Sequence, residues 1–278
     1  MSHGLSSVDV ETYREKGVLF PIPVLSPEEV RRARTELEAL EGRLGGRPKA
    51  ADTHQLYLYF RWAYDLATHP AVLDAVESVL GPNILVWATS VFTKYPRDTG
   101  FVSWHQDGTY WGLDSGQVTT AWIGLSESST ENGCMRVVEE SQKLPIQRHI
   151  DTYADDNLLS RGQEIACEVD EKDATDVVLA AGEMSLHHVN IIHGSNANLS
   201  DKKRIGFTVR YVTPEVKQTL DKHPVTLARG EDRCGHFPLV EKAPSVDQDP
   251  EEALRVHREE TRKHMEALRK TKGAYEAD

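Results

Sequence analysis

His105 and Asp107 stand two residues apart in the stretch Ser103-Trp104-His105-Gln106-Asp107-Gly108-Thr109-Tyr110-Trp111, and His193 opens a second block with Gly194 and Ser195. Arg204 follows eleven residues after His193. Two imidazoles and one carboxylate can hold Fe(II) on one face and leave the opposite face open to reactants. A guanidinium close by has the fork geometry to fix the carboxylate of an organic co-substrate. Together these residue types point to a reaction type and not merely to a bound metal.

The H-x-D spacing alone is common. Among 12 histidines in 278 residues, about one H-x-D or H-x-E is expected by chance. The chain has His105/Asp107, His149/Asp151, His257/Glu259 and His264/Glu266. The last two fall in a stretch with a helical charge pattern, where residues two apart point to different faces. His149/Asp151 follows Pro145 in a polar segment that offers no rigid support. His105/Asp107 instead follows a strand-like segment, has Trp104, Tyr110 and Trp111 around it, and is followed by Gly108, which permits a tight turn. Residues two apart on a strand share a face, so the inner wall of a barrel can present both to one ion. The third ligand is to be found among His187, His188 and His193. His193 lies between Ile191-Ile192 and Gly194, as expected at a strand's inner edge. At most one of the adjacent His187 and His188 faces inward, and packing or hydrogen bonding is the plainer role for them.

These residues need elements to carry them. Ser26-Pro27-Glu28-Glu29 combines an N-cap serine, a proline at the first helical position and a capping-box glutamate. Val30, Ala33, Leu37, Leu40 and Leu44 then recur at helical spacing until Gly45-Gly46. A second helix is expected from Pro70, burying Val72, Leu73, Val76, Val79 and Leu80 and ending at Gly81-Pro82. From Ile84 the pattern turns to strands, with β-branched and aromatic residues over 84–94, 118–125, 135–138, 177–179, 183–188 and 205–212. The last alternates Ile205, Phe207, Val209 and Tyr211 with Gly206, Thr208 and Arg210. Many short strands predict a sandwich or open barrel, mainly β with flanking α-helices. Residues 142–173 read as a long irregular insertion, of a length that often covers an active site. The charged stretch 251–270 reads as a solvated helix. The whole reads as one domain, with a helical N-terminal part over about 1–82, a barrel over about 83–215 and a helical tail over about 247–272.

A net charge of −12 argues against nucleic acid and anionic membrane surfaces as partners. No apolar run approaches the length of a membrane span, and the first residues lack the pattern of a signal peptide. Cys134, Cys167 and Cys234 are odd in number and scattered, which fits a reducing compartment. A cytoplasmic protein, monomer or homodimer, acting on a small molecule is expected.

With these motifs in place the chain resembles the phytanoyl-CoA dioxygenase family of Fe(II)- and 2-oxoglutarate-dependent oxygenases, over roughly residues 10–215. Thr120-Ala121-Trp122-Ile123-Gly124-Leu125 is similar to the family's strand after the H-x-D, and 130–138 to its hairpin. That hairpin normally runs on to proline, glycine, serine and histidine, and here runs on to Glu139-Glu140-Ser141-Gln142. The resemblance implies a double-stranded β-helix, a jelly-roll barrel with flanking helices. It implies Fe(II) on His105, Asp107 and His193, with 2-oxoglutarate and O2 as co-substrates, and Arg204 on the distal carboxylate with Ser195 beside it. Trp122 could pack against the co-substrate, with Thr93 and Trp87 as weaker candidates for the same pocket. Hydroxylation of an unactivated C–H, with release of succinate and CO2, follows from this reading. Related halogenases have a small residue where this chain keeps Asp107, so oxygen transfer is favoured over halogenation. Desaturation, epoxidation or cyclisation use the same ligands, and a non-redox isomerase or hydrolase on the same barrel is the rival from another class. Arg210 is the first choice for substrate contact, with His188, Asn190, Arg97 and Trp104 after it. The chain has no basic cluster suited to coenzyme A, so a free small metabolite is expected despite the family's name.

Overall fold

Alternation of side chains across a strand explains how one sheet here serves both a core and a site. In the computed structural model, residues 4–271 are described apart from Tyr110, Asp155, Ser160, Arg161, Cys167, Glu168, Leu220, Asp221, Lys222, Glu241 and Val246. Tyr110 and Cys167, which entered the sequence reading, lie outside the described residues, as do the side chains of His264 and Glu266.

The chain begins with α1 (Ser7–Lys16), β1 (Val18–Pro23), α2 (Pro27–Leu44), α3 (Arg61–Ala67) and α4 (Pro70–Leu80). Strands follow: β2 (Ile84–Lys94), β3 (Val102–His105), β4 (Val118–Gly124), β5 (Met135–Val138), β6 (His149–Asp151) and β7 (Gln163–Ile165). Then come β8 (Ala174–Val177), β9 (Glu183–His188), β10 (Ile192–Ser195), β11 (Arg204–Val212), β12 (Thr226–Arg229) and the helix α5 (Pro250–Thr271). The Ser26 hydroxyl accepts from Glu29 N–H and the Glu29 carboxylate reciprocates, so α2 starts at the capping box that its sequence announces. It stops at Gly45, whose φ of 78° suits glycine.

Among the described residues, antiparallel pairing gives a six-stranded sheet in the order β1-β9-β4-β11-β2-β12 and a four-stranded sheet in the order β3-β10-β5-β8. The two sheets face one another as a jelly-roll, and their hydrogen bonding does not close into a barrel. Side chains from both sheets meet between them, with Trp122 of β4 packing among Met135 and Val137 of β5 and Val177 of β8. The helices cover the other face of the large sheet. There Phe207, Val209, Tyr211, Ala121, Ile123 and Leu186 join Leu37 and Leu40 of α2 and Val72 and Val76 of α4 in the main core. Among the described residues, no helix is long and apolar enough to cross a membrane.

Four expectations need correction. The N-terminal part is not all helical, because Val18–Pro23 adds an edge strand to β9. The 142–173 insertion is not wholly irregular, because it contains the β6–β7 ribbon. The large sheet extends past residue 215, since β12 pairs with β2. The tail helix is not solvated on every side, because Ala253, Leu254 and His257 are buried.

Candidate metal centre

β10 pairs with β3 so that His193 lies directly opposite His105, and the two rings are 4.1 Å apart between centroids. Asp107 is not on the strand as its spacing suggests, but opens a 3₁₀ turn, Asp107–Thr109. That turn brings the carboxylate back beside His105, with Oδ1 3.4 Å from Nε2. One ligand atom from each of His105, Asp107 and His193 falls within 4.8 Å of the others. Gln106 holds the turn, donating to Asn190 O at 2.8 Å and accepting from Gln147 N–H at 2.8 Å.

The two imidazoles are oriented by one local device. His105 Nδ1 donates to Ser103 O at 2.9 Å, and His193 Nδ1 donates to Ile191 O at 3.0 Å. A carbonyl offers no proton, so each Nδ1 carries the hydrogen and each Nε2 keeps a lone pair for a metal. His149 is built in the same way, with Nδ1 on Gln147 O, but its Nε2 accepts from Gln106 N–H at 2.9 Å. That bond uses the lone pair a metal would need. His149 therefore supports the turn from outside the ligand cluster.

Electrostatics prepare the same site for a cation. Burial alone would raise the Asp107 carboxyl, but its neighbours His105, His193 and Arg210 hold it below the usual carboxylate range. Burial and the neighbouring His105 push His193 down to about 4, so it is a neutral donor near pH 7. A neutral His193 imidazole and an ionised carboxylate beside the Nε2 of His105 fit a divalent iron.

Beyond the cluster lie two buried basic side chains. Arg204 is 2% exposed, donates from Nη1 to Gly133 O at 2.7 Å, stands 5.1 Å from the Trp122 ring, and has a buried Nε without a partner. Lys94, opposite Arg204 in the β2–β11 register, has no exposed surface and donates to Ser195 Oγ at 2.7 Å and to Asn196 O. Among the described residues, no acidic side chain is within ion-pair distance of either. Burial, and then the charge of Arg204, press the Lys94 ammonium down to about 6, and burial presses Arg204 down to about 10. A desolvated Arg204 without a counter-charge needs an anion, with Lys94 beside it to take up a proton when one arrives, and a distal carboxylate fits there.

The candidate residues divide accordingly. Arg204, Ser195 and Trp122 come together beside the ligand cluster. Trp122 lies flat against β11 because Gly206 has no Cβ; one built there would come within 2.0 Å of the indole. Thr93 does not join them: it pairs with Ile205, on the face turned towards the helices. Trp87 is buried at the other end of β2, donating to Gln218 Oε1 and stacking 5.1 Å from Trp111. Arg210 lies on the site face of β11, and Asn190 Oδ1 reaches over Gly108, next to Asp107. Three substrate candidates face elsewhere. His188 alternates away from the cluster, since His187 is the one whose ring lies 5.1 Å from His193. Trp104 alternates with the inward His105 and packs its ring near Gly194 and Arg136 on the outer side of the small sheet. Arg97 is exposed and forks onto Asp201 at 2.8 and 3.0 Å. Lys94 is the site residue that sequence reasoning missed, while His187, a candidate third ligand there, lies beside His193 and not among the ligands. A lysine ending a mostly apolar strand was the available signal for Lys94.

The sequence profile of the family described as phytanoyl-CoA dioxygenase (PhyH) matches residues 13–206. The phytanoyl-CoA dioxygenase of Arabidopsis thaliana is 29% identical over 146 residues, which are 52% of this chain and 50% of that protein. The ectoine dioxygenase of Halomonas elongata is 25% identical over 224 residues, covering 72% of this chain and 68% of that one. This chain spans about half the length of several curated relatives that it matches. A solved non-heme monooxygenase, ThoJ in its apo form, is 32% identical with a TM-score of 0.76, covering 92% of this chain and 99% of that one. CytC3 with Fe(II) and alpha-ketoglutarate, at 21% identity and a TM-score of 0.65 over 87% of this chain and 96% of that one, shares the fold. The matched span contains the His105–Asp107–His193 cluster and Arg204 together, and this chain belongs to the phytanoyl-CoA dioxygenase family.

Proposed function

We propose that this chain is a non-haem Fe(II)- and 2-oxoglutarate-dependent oxygenase that hydroxylates an unactivated C–H of a small metabolite, with release of succinate and CO2. The observation that carries this reading is the adjacency of two sites. One is a His-Asp-His cluster with both Nε2 atoms free to ligate. The other is a buried Arg204–Lys94–Ser195 group with no acidic partner among the described residues. A metal-dependent isomerase or hydrolase needs the first and has no use for the second.

Bound iron, 2-oxoglutarate and O2 supply the oxidising chemistry. The chain's residues bind and orient. His105, Asp107 and His193 would hold the iron on one face. Arg204, Lys94 and Ser195 would take the distal carboxylate of 2-oxoglutarate, and Trp122 would flank it. The sheets that bury these groups exclude water. Asp107 fills the place a halide would need, which favours hydroxylation. The whole chain is read as one catalytic unit, monomer or homodimer, working in the cytosol, where the free thiols Cys134 and Cys234 would stay reduced.

Anaerobic addition of Fe(II) and 2-oxoglutarate is expected to give a weak visible charge-transfer band, and air is expected to give succinate. Absence of both overturns the proposal.

A further inference from the structure

The register of the large sheet sets four positions side by side: Ala88 on β2, Arg210 on β11, Thr120 on β4 and His187 on β9. Directly paired residues of antiparallel strands point to the same face, with Cβ atoms about 4.5–5.5 Å apart. This rung faces the metal cluster, because Arg204 and Trp122 share the face and the His187 ring lies 5.1 Å from that of His193. Three of its four members hold buried polar atoms with no partner: Arg210 Nε, Thr120 Oγ1 and His187 Nδ1. Buried polar groups are nearly always paired, so three orphans on one rung beside a reactive centre mark a place where a ligand binds.

Charge says which ligand. Arg210 donates from Nη1 to Ser90 Oγ at 2.9 Å and lies 5.2 Å from the Trp111 ring, which leans on Trp87. Among the described residues, no acidic side chain lies within ion-pair distance of it. A guanidinium, a hydroxyl and an imidazole together match the oxygens of one oxyanion.

2-Oxoglutarate does not fill this rung. Arg210 is six residues along β11 from Arg204, roughly 20 Å at the rise of an antiparallel strand. A five-carbon diacid cannot reach both while also meeting the metal cluster. We propose that the Arg210–Thr120–His187 rung is the substrate subsite, and that the substrate is a small molecule bearing an oxyanion, a carboxylate or phosphonate, held beside the aromatic wall of Trp87 and Trp111. This rests on the oxygenase reading for what happens to the bound molecule, and on the rung alone for its binding.

The test is isothermal titration calorimetry with benzoate, cinnamate, hexanoate and phenylphosphonate, each paired with its neutral amide or ester, on wild-type protein without metal and with Fe(II) and 2-oxoglutarate under argon. At least one acid is expected to bind at least tenfold more tightly than its neutral partner, and which acid does so separates carboxylate from phosphonate. Arg210→Met should weaken that acid about 30-fold or more, and the isosteric Thr120→Val about tenfold. Neither should move the 2-oxoglutarate affinity or the charge-transfer band by more than about twofold. Thr120→Val guards against misfolding of the arginine variant. Equal binding of acids and neutral partners overturns the proposal, as does parallel loss of 2-oxoglutarate affinity in Arg210→Met. If wild-type protein shows no charge-transfer band but prefers acids in a way that Arg210→Met removes, the oxygenase reading fails and the anion subsite stands; a preference that survives Arg210→Met belongs to the Arg204–Lys94 pair and overturns the proposal.

Discussion

Lys94 ends β2 with no exposed surface, faces the buried guanidinium of Arg204, and is pressed down to about 6 by burial and that neighbour. In the ligand-free protein near pH 7.5 it is therefore mostly neutral. A carboxylate arriving between Lys94 and Arg204 would favour the ammonium, so 2-oxoglutarate binding there is expected to take up a proton. The affinity for 2-oxoglutarate is expected to fall as pH rises above about 6, by up to tenfold per unit while the bound form stays charged. Calorimetry in buffers of different ionisation heat would read that proton directly. Lys94→Met should abolish the uptake; a pH-independent wild-type affinity with no proton uptake would contradict the assignment. The stability of the ligand-free protein carries the same signature with its own sign. Unfolded Lys94 holds a proton up to the ordinary 10.5 and folded Lys94 only to about 6, so its contribution improves as pH rises across that window. Arg204, at about 10, stays charged throughout. Arg204→Ala should therefore weaken 2-oxoglutarate about 30-fold or more at every pH while leaving Fe(II) affinity nearly unchanged. Equal losses of both in a paired titration would count against its role as an anchor.

The strands that carry these residues are tuned by what they leave out. Gly206 lies between Arg204 and Thr208 on the site face, and a Cβ there would come within 2.0 Å of the Trp122 indole. Gly206→Ala must move a buried indole packed against β5 and β8, at a cost of about 1–3 kcal/mol. It should also tilt the surface on which Arg204 rests. A lower urea midpoint together with weaker 2-oxoglutarate binding is expected; unchanged binding would mean that Trp122 is only core. The sequence made β2, β4, β9, β11, α2 and α4 readable, because period and capping are local properties. It also offered the metal residues, since His105, Asp107 and His193 differ from the other pairs in their flanking residues. What it could not supply was phase between strands. Thr93 and Lys94 are adjacent, and only the pairing with Ile205 and Arg204 decides which one faces the site. His187 and His188 pose the same ambiguity, settled by the contact with His193. Asp107 joined His105 through a 3₁₀ turn and not through strand alternation, a case in which the residue was legible and its geometry was not.

At the scale of the whole molecule, the tail returns to the helical layer through a histidine. α5 is heavily charged, yet it turns Ala253, Leu254 and His257 inwards, and ion pairs from Arg43 to Glu251 and from Arg258 to Asp52 fix its direction. His257 has no exposed surface, donates from Nε2 to His54 O at 2.7 Å and meets Tyr59 edge-on at 5.2 Å, while its Nδ1 is buried without a partner. Burial lowers its pKa below the ordinary 6.5 despite the bond to His54 O. The detached helix accepts a proton from about pH 6.5 downwards, and the docked helix only at the lowered value. Docking is thus at full strength above pH 6.5 and weakens as pH falls through the window between the two. Global unfolding would mix this effect with that of His187 and His193, which burial also holds neutral. Hydrogen exchange resolved by segment separates them. Protection of the α5 amides, corrected for intrinsic rates, should drop between pH 7 and 5.5, while that of β11 holds. His257→Leu should remove the pH dependence and keep the helix docked, because the pocket around Tyr59 and Phe60 accepts an apolar side chain without needing to exclude a charge. Equal loss of protection in α5 and β11, or a pH dependence that survives His257→Leu, would show that the tail is not held through this residue.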